Sequence, residues 1–411
     1  MEDERAAYQM KRVYIEPGWS VHSYYKTMAL HPPDGFEFVL GGSPLHRWSS
    51  APAGSHSAGG AVVRKLLASL NHCLDSARGS HLSYRLQHEI LERAVPVNLV
   101  KSYLERRVPP PPGIDLTVAV NHLVLRQEPW ILEAEHVAFC LSYRGEWLES
   151  ARLRGFLERV LSSSSCRKIV SSSEAAQRNI LRYLNCEGFA EKLVVVPFAL
   201  PVKPFIRARR DNGSVKLLFV GSINLPGRFY DRGGMQVLES FRILRQRYPD
   251  IELVVRSEVP AEVRSQFGGL PGLQILDSPI PAAAVEAEYS SADIFLSPGD
   301  HTPWSSILEA MSYELPVVAT DVFANGELVR NGETGFLVPM AIARRREPHK
   351  DEVAGLVEKV SILVQDAPLR QKMGRASRRE VEKGAHSIGH RNKKLKDVLV
   401  EATAGGPVAG A

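Results

Sequence analysis

The chain has few cysteines and no long apolar segment, and both shortages exclude classes of protein. Among its 411 residues are four cysteines, and no two of them form a Cys-x-x-Cys pair. We therefore expect neither a zinc site nor a disulfide framework, and a reducing compartment is the simplest interpretation. No run of about 18 apolar residues occurs, and no signal peptide is visible, so we expect a cytoplasmic protein that does not cross a membrane.

The chain also has little net charge and lacks an acidic metal-binding motif. Its 51 Lys and Arg residues against 46 Asp and Glu residues leave a formal charge of +5, too small to indicate a nucleic-acid partner. A mild positive charge suits anionic ligands or peripheral contact with an anionic membrane, for which segments 62–70 and 370–396 are candidates. No Asp-x-Asp sequence occurs, so we expect no metal and no other cofactor.

What the sequence does contain is an alternation of short apolar runs with helical segments. Strands are predicted at residues 12–16, 36–40, 116–120, 130–133 and 168–171. Helices are predicted at 62–77, 149–161 and 173–184, the last with Ser173 as its N-cap. Residues 198–213 are rich in Pro and Arg, and we interpret them as a linker between domains.

A second series of the same kind follows the linker. Strands are predicted at 216–220, 251–255, 273–276, 294–296 and 316–320, with helices at 234–248 and 302–313. Two such series indicate an α/β protein with two parallel sheets, which bind ligands at the carboxyl ends of their strands. The predicted division is a domain at 1–205, a domain at 206–385, a helix at 386–402 that packs on the first domain, and a disordered tail at 403–411.

One loop and the helix after it carry most of the predicted chemistry. Thr302 fits a helix N-cap and Pro303 the first helical position, which leaves the amides of Trp304 and Ser305 free at a positive helix end. Such an end binds phosphate groups. Glu309 lies further along the same helix, where its carboxylate is placed to accept hydrogen bonds from the hydroxyls of a ribose.

This segment resembles the donor-binding signature of retaining glycosyltransferases of family 4, which have the GT-B fold. The family has two acids separated by seven residues, then a strand, a Glu after a glycine, and a Gly-x-Thr-Gly turn. The matching positions here are Glu309 for the second acid, then 316–319, 325–327 and 331–335. His301, beside Asp300, stands where the family has its first acid. The resemblance implies two Rossmann-like domains with a deep interdomain cleft.

The same resemblance implies roles for residues elsewhere in the chain. Arg232 takes the position of a diphosphate-binding lysine, and Arg228 supplies a second cation. His136 matches an active-site histidine, and His122 is a weaker alternative. Gly18, Gly221 and Ser222 are expected in loops that line the cleft. The expected catalytic residues are His136 and His301, and the expected donor-binding residues are Arg228, Arg232, Asp300, Thr302, Trp304, Ser305, Ser306 and Glu309.

The resemblance implies a retaining glycosyltransferase of the hexosyltransferase type. It would move a sugar from a nucleoside diphosphate sugar, of UDP or GDP type, to a hydroxyl acceptor such as a glycan, a lipid or a small molecule. Basic residues and a helix dipole would do the work of a metal ion. Two alternatives stay open, a sugar-nucleotide epimerase of the same fold and a catalytically degenerate homologue that only binds its ligand.

Overall fold

The computed structural model describes residues 10–17, 23–41, 95–106, 108–141, 144–204, 213–223, 227–340 and 347–404. The chain forms two compact units, of which the first is Met1–Pro197 together with Asn392–Ala411 and the second is Phe198–Arg391. The predicted helix at 62–77 and the predicted loop residue Gly18 lie outside the described residues.

The first unit contains a parallel sheet of six strands in the order β2-β1-β3-β4-β5-β6. The sheet forms largely where apolar runs predict strands, and the side chains of residues 116–120 and 130–134 at its centre are buried on both faces. The strands are β1 Lys11–Pro17, β2 Phe36–Leu40, β3 Leu116–Val120, β4 Trp130–Ala134, β5 Cys166–Ser171 and β6 Leu193–Val195.

Helices and short 3₁₀ turns connect these strands. The helices are α1 Ser23–Leu30, α2 Val97–Glu105, α3 Ala151–Ser162 and α4 Glu174–Tyr183. The 3₁₀ turns are Phe139–Leu141, Gly145–Glu149 and Ala190–Lys192. The predicted N-cap of α4 is confirmed, since the Ser173 hydroxyl accepts a hydrogen bond of 3.0 Å from the Ala176 amide.

The second unit contains another parallel sheet of six strands, in the order β12-β11-β10-β7-β8-β9. Five of its strands were predicted, and β12 was not. The first residue of β12 is Gly335, and a Cβ at this position would overlap the Val317 backbone of β11. Only glycine therefore fits there. The strands are β7 Lys216–Val220, β8 Glu252–Arg256, β9 Leu273–Ile275, β10 Ile294–Ser297, β11 Val317–Asp321 and β12 Gly335–Pro339.

The helices of the second unit cover its sheet and share one buried apolar cluster with it, which includes Phe241, Leu253 and Leu356. They are α5 Arg228–Asp231, α6 Gly234–Arg247, α7 Ala261–Phe267, α8 Ala282–Ser291, α9 Trp304–Ser312, α10 Asn325–Leu328, α11 Lys350–Gln365 and α12 Ala367–Lys383.

Two segments lie near the division between the units along the chain. Residues 198–204, interpreted from the sequence as the start of a linker, belong to the second unit, where the Lys203 amide donates to the Ser312 hydroxyl at 3.1 Å. The last helix, α13 Ile388–Ala404, contains the division between Arg391 and Asn392. No helix in the described part of the chain has both the length and the apolar character that a membrane crossing requires.

Candidate functional site

The second sheet has its topological switch point between β7 and β10. These strands are neighbours, and the chain continues from β7 to β8 on one side and from β10 to β11 on the other. Loops at the carboxyl ends of such a strand pair diverge and leave room for a ligand. Here these loops begin at Gly221 and Pro298, and most of the predicted site residues lie on them or on the helices that follow.

Glycines allow the two loops to meet. Gly233 has a φ of 82°, and a Cβ at this position would overlap the carbonyl oxygen of Pro298. A Cβ at Gly299 would lie 2.9 Å from the carbonyl oxygen of Asp231, which accepts a 3.0 Å hydrogen bond from the Asp300 amide. The turn after α5 is therefore fixed against the loop after β10.

This contact brings two predicted arginines towards a predicted histidine. Arg228 is the first residue of α5, and Arg232 is its C-cap. The positive charges of Arg232 and Arg228 both act on the His301 ring and disfavour its protonation. The structure therefore gathers three of the predicted site residues at the β7–β10 switch point.

His301 pairs with the carboxylate beside it in the sequence. Its Nδ1 lies 2.7 Å from Asp300 Oδ1, while its Nε2 is buried without a hydrogen-bond partner among the described residues. Burial lowers the pKa of His301 below its usual value, and the charges of Arg232 and Arg228 add to this effect against the opposing influence of Asp300. The ring is therefore neutral at pH 7.

The start of helix α9 differs from the prediction. Thr302 is not its N-cap, because the helix begins at Trp304 and Pro303 occupies the capping position. The Thr302 hydroxyl instead accepts a 3.0 Å hydrogen bond from the Ala324 amide in the turn before α10. Thr302 thus connects two loops through its side chain, and this partner is 22 residues away in the sequence.

Trp304, a predicted donor-binding residue, has a side chain that is largely buried. Its indole is 8% exposed and packs edge-on against Phe198, with 5.2 Å between ring centroids. The ring of His386 lies at 6.0 Å on a tilted plane. The Trp304 amide donates to the Thr302 carbonyl at 3.1 Å and so is not free at the helix end. Trp304 is a core residue of the second unit, and the first-turn positions left for an anion are Ser305 and Ser306.

Glu309 lies one turn further along α9 in a mixed electrostatic environment. Burial raises its pKa, the Tyr289 hydroxyl and the charges of Lys203 and Arg256 lower it, and Glu286 raises it, with a net shift upwards. Arg256 is the last residue of β8, on the other side of β7 from β10. The structure therefore brings Glu309 close to an arginine at the end of a neighbouring strand.

Gly221 and Ser222 are predicted loop residues whose backbones extend the pairing of β7 with β8. The Gly221 amide donates to the Arg256 carbonyl at 2.9 Å, and the Ser222 carbonyl accepts from the Glu258 amide at 2.8 Å. A Cβ at Gly221 would overlap the Ser257 hydroxyl. These hydrogen bonds fix the first two residues of the loop that follows β7.

In the first unit, His136 follows β4 and is held in one orientation. Its Nδ1 accepts a 3.1 Å hydrogen bond from the Ala138 amide, and the next residue along is fixed by Asn179 of α4, whose Oδ1 accepts from the Val137 amide at 2.9 Å. Burial lowers the pKa of His136, so the ring is neutral at pH 7. Because Nδ1 acts as an acceptor, the ring proton lies on Nε2, which is a hydrogen-bond donor.

A buried ionic cluster at the β1–β3 switch point of the first sheet was not predicted as a unit. Glu16 on β1 contacts His122 Nε2 at 3.0 Å and Arg126 Nη2 at 2.7 Å, and its side chain is 1% exposed. Burial alone would raise the pKa of Glu16, but the hydrogen bonds and charges of His122 and Arg126 outweigh burial and lower this pKa to about 2. Asn121, with a φ of 53°, makes the turn that precedes His122.

The same cluster is the group of potential metal ligands found among the described residues. Ligand atoms of Glu16, Glu105 and His122 all lie within 4.8 Å of one another. The Arg126 guanidinium, however, already pairs with the Glu16 carboxylate. A second cation beside this guanidinium would be repelled, so these residues fit an ion-pair cluster better than a metal site. The sequence signal for it is a single acid directly after the apolar residues of β1.

These features define a class of protein, and a family model matches part of the chain. A doubly wound sheet with arginines and a helix amino terminus at its switch point has the features of the Rossmann-like class. Within that class, residues 214–366 match the family model described as "Glycosyl transferases group 1". This match confirms, over this segment of the second unit, the resemblance predicted from the sequence.

Related sequences agree with this assignment over part of the chain. A phosphatidyl-myo-inositol mannosyltransferase of Mycobacterium tuberculosis is 27% identical over 205 residues, which cover 48% of this chain and 51% of the relative. The capsular polysaccharide biosynthesis glycosyltransferase CapM of Staphylococcus aureus is 25% identical over 162 residues, 37% of this chain and 38% of the relative. The chain thus matches about half, or less, of each of these relatives.

Solved structures share the fold over nearly the whole chain. WaaG, a glycosyltransferase involved in lipopolysaccharide biosynthesis, superposes with a TM-score of 0.55 at 15% identity and covers 97% of this chain and 100% of its own. HepE of Anabaena, in complex with UDP and glucose, gives a TM-score of 0.57 at 12% identity, with 95% and 99% coverage. The predicted fold class, GT-B with two Rossmann-like domains, is confirmed.

Proposed function

We propose that the chain is a retaining glycosyltransferase that transfers a hexose-type sugar from a nucleoside diphosphate sugar to a hydroxyl acceptor. The observation that carries this proposal is the grouping of Arg228, Arg232, His301 and the first turn of α9 at the β7–β10 switch point. This group lies inside the segment that matches the group 1 glycosyl transferases. The donor is of UDP or GDP type, and the acceptor is a glycan, a lipid or a small molecule.

The donor diphosphate is assigned to the arginines and the helix end. A guanidinium binds two phosphate oxygens at once, so Arg228 and Arg232 can hold the diphosphate and stabilise its charge as it departs. The amides of Ser305 and Ser306 in the first turn of α9 add a partial positive charge. Glu309, further along α9, is assigned to the ribose hydroxyls.

The transfer step follows from this arrangement of charge. The bond between the anomeric carbon and the diphosphate oxygen breaks while the acceptor oxygen bonds to the same face of that carbon. The proton of the acceptor hydroxyl passes to a diphosphate oxygen, so no protein base is required. His136 contributes as a hydrogen-bond donor through Nε2, because its Nδ1 is occupied by the Ala138 amide. The arginines stabilise the departing charge without a metal ion, and turnover should persist in EDTA.

The central experiment compares donor binding and transfer in two variants. Glu309→Ala should weaken binding of UDP or GDP by about tenfold or more, since it removes a hydrogen-bonded carboxylate. The matched control is Glu358→Ala on α11, which removes a carboxylate that is 64% exposed and should change nothing. Binding is measured by calorimetry after a thermal-shift screen of nucleotides, and transfer by release of nucleoside diphosphate.

The same assay separates the alternatives. An epimerase would convert the donor sugar when no acceptor is present, and chromatography of the nucleotide sugar would reveal this. A binding-only homologue would bind donor but release no nucleoside diphosphate with any acceptor. Full nucleotide affinity in Glu309→Ala would contradict the assigned donor site.

Peripheral attachment to an anionic membrane is a second part of the proposal. The supporting observation is a row of exposed basic side chains on α12, spaced three, four and four residues apart on one helix face: Lys372, Arg375, Arg379 and Lys383. Each basic residue near an anionic surface contributes about 1 kcal/mol. Changing all four to Gln should abolish co-sedimentation with phosphatidylserine vesicles, and neutral vesicles should bind neither protein.

A further inference from the structure

The contact between Asp300 and His301 determines which nitrogen of the imidazole ring carries the proton. Asp300 Oδ1 lies 2.7 Å from His301 Nδ1, and the Asp300 amide is tied to the Asp231 carbonyl at 3.0 Å. A neutral imidazole carries one proton, and a carboxylate can only accept a hydrogen bond. The proton of His301 therefore lies on Nδ1, and Nε2 presents a lone pair.

The surroundings of His301 support the same protonation state. The charged groups that face the ring are Asp300, Arg232 and Arg228. Burial and both guanidinium groups lower the pKa of His301 and outweigh Asp300, so the ring stays neutral. Its Nε2 is buried and has no hydrogen-bond partner among the described residues, although the side chain as a whole is 33% exposed.

We propose that Asp300 is a positioning residue that fixes His301 as the Nδ1–H tautomer, so that Nε2 accepts a hydrogen bond from a hydroxyl of the donor sugar. This inference rests on the proposed function, because it places His301 beside the arginines assigned to the donor diphosphate. The ligand class is a nucleoside diphosphate sugar with a free hydroxyl at the position that meets Nε2. A donor deoxygenated there leaves a buried acceptor unsatisfied and is disfavoured.

The first measurement reads the tautomer directly in the full chain without ligand. Nitrogen-15 spectra of the imidazole groups distinguish a protonated from a bare ring nitrogen, and loss of one pair of signals in His301→Gln assigns them. We expect a protonated Nδ1 and a bare Nε2 for His301. In Asp300→Asn the side-chain amide can either donate or accept, so both tautomers should appear. A wild-type ring with its proton on Nε2 overturns the proposal.

The second measurement is the gain in affinity that the sugar adds, taken as the ratio of the dissociation constants of the nucleoside diphosphate and of the nucleoside diphosphate sugar. His301→Gln and Asp300→Asn should both reduce this ratio, by about three- to tenfold, the value of one hydrogen bond. Asp300→Glu should restore part of it. Because the ratio cancels the effect of a changed charge on the diphosphate, it isolates the sugar contact.

Controls separate this inference from the proposed function. Asp321→Asn removes an exposed carboxylate at the end of β11 and should leave the ratio unchanged. If the wild-type chain binds no nucleoside diphosphate, the proposed function fails, whereas the tautomer measurement still decides the role of Asp300. If nucleotide binds but neither variant changes the ratio, the proposed function stands and the sugar contact of His301 is disproved.

Discussion

At the scale of single residues, Glu16 shows how a buried acid can keep its charge. Its pKa is about 2, against an ordinary value of 4.5, because His122 and Arg126 outweigh the effect of burial. The unfolded chain therefore binds more protons than the folded chain between these values. The stability that Glu16 contributes is fully present above about pH 4.5 and is lost as the pH falls towards 2.

Glu16→Gln is accordingly expected to destabilise the first unit by about 3 kcal/mol at pH 7, since each pKa unit corresponds to about 1.4 kcal/mol. The difference from wild type should shrink as the pH falls from 4.5 towards 2. Hydrogen exchange of the amides in β3 and β4 measures this stability locally. Glu37→Gln on β2, where the carboxylate is 53% exposed, is the matched control and should have little effect. A difference independent of pH would disprove the role of the charge.

Gly233 is a second residue whose type is determined by its position in the fold. Its φ of 82° and the neighbouring Pro298 carbonyl leave no room for a side chain. Gly233→Ala should therefore cost about 1–3 kcal/mol and displace the arginines from the loop after β10. Gly227→Ala is the control, because its φ is −64° and nothing lies within 4 Å of a Cβ there. Urea unfolding and nucleotide affinity measure the two effects, and equal behaviour of both variants would contradict this account.

At the scale of elements, most strands could be predicted because each is a short apolar run, and the central ones are buried on both faces. β3 and β4 are buried throughout, and their positions follow from the sequence alone. The switch point also follows, because the order of βα units restricts where the strands can lie. Glu309 and the two loop arginines were predicted as site residues in this way, together with the family resemblance.

The start of α9 could not be predicted, because distant partners decide it. Thr is a residue type that favours N-cap positions, but the Thr302 hydroxyl instead accepts a hydrogen bond from the Ala324 amide. Trp304 was predicted to lie at a helix end that binds the donor, but its ring packs against Phe198 and His386. Local sequence patterns contain no information on contacts at such separations. The Glu16 cluster escaped prediction for the same reason.

The burial of Trp304 leads to a test at the level of this helix. Trp304→Ala should destabilise the second unit by about 3–5 kcal/mol, the cost of removing a buried aromatic ring. Trp304→Phe keeps most of the apolar contact and should retain nucleotide affinity within about twofold. Calorimetric unfolding and nucleotide titration measure the two properties. Wild-type stability combined with a tenfold loss of affinity in Trp304→Phe would instead support the original prediction of donor contact.

At the scale of the whole molecule, hydrogen bonds within the second unit join its first residues to its last ones. His386 Nδ1 lies 3.0 Å from the Phe198 carbonyl and Nε2 lies 3.3 Å from the Glu327 carbonyl, so the beginning and end of the unit share one side chain. Arg378 adds hydrogen bonds to the carbonyls of Lys203, at 3.3 Å, and Ser312, at 2.6 Å. The unit also has its own buried apolar cluster.

Residues 198–391 should therefore fold when expressed alone and bind UDP or GDP, because every residue assigned to the nucleotide lies within them. Affinity within about threefold of the full chain is expected, whereas transfer should be absent, since His136 belongs to the first unit. Titration calorimetry and a transfer assay measure these properties. The same fragment with Glu309→Ala is the control for specific binding. A folded fragment that binds no nucleotide would show that the first unit supplies part of the nucleotide site, and the assignment of the site to the β7–β10 switch point would then be incomplete.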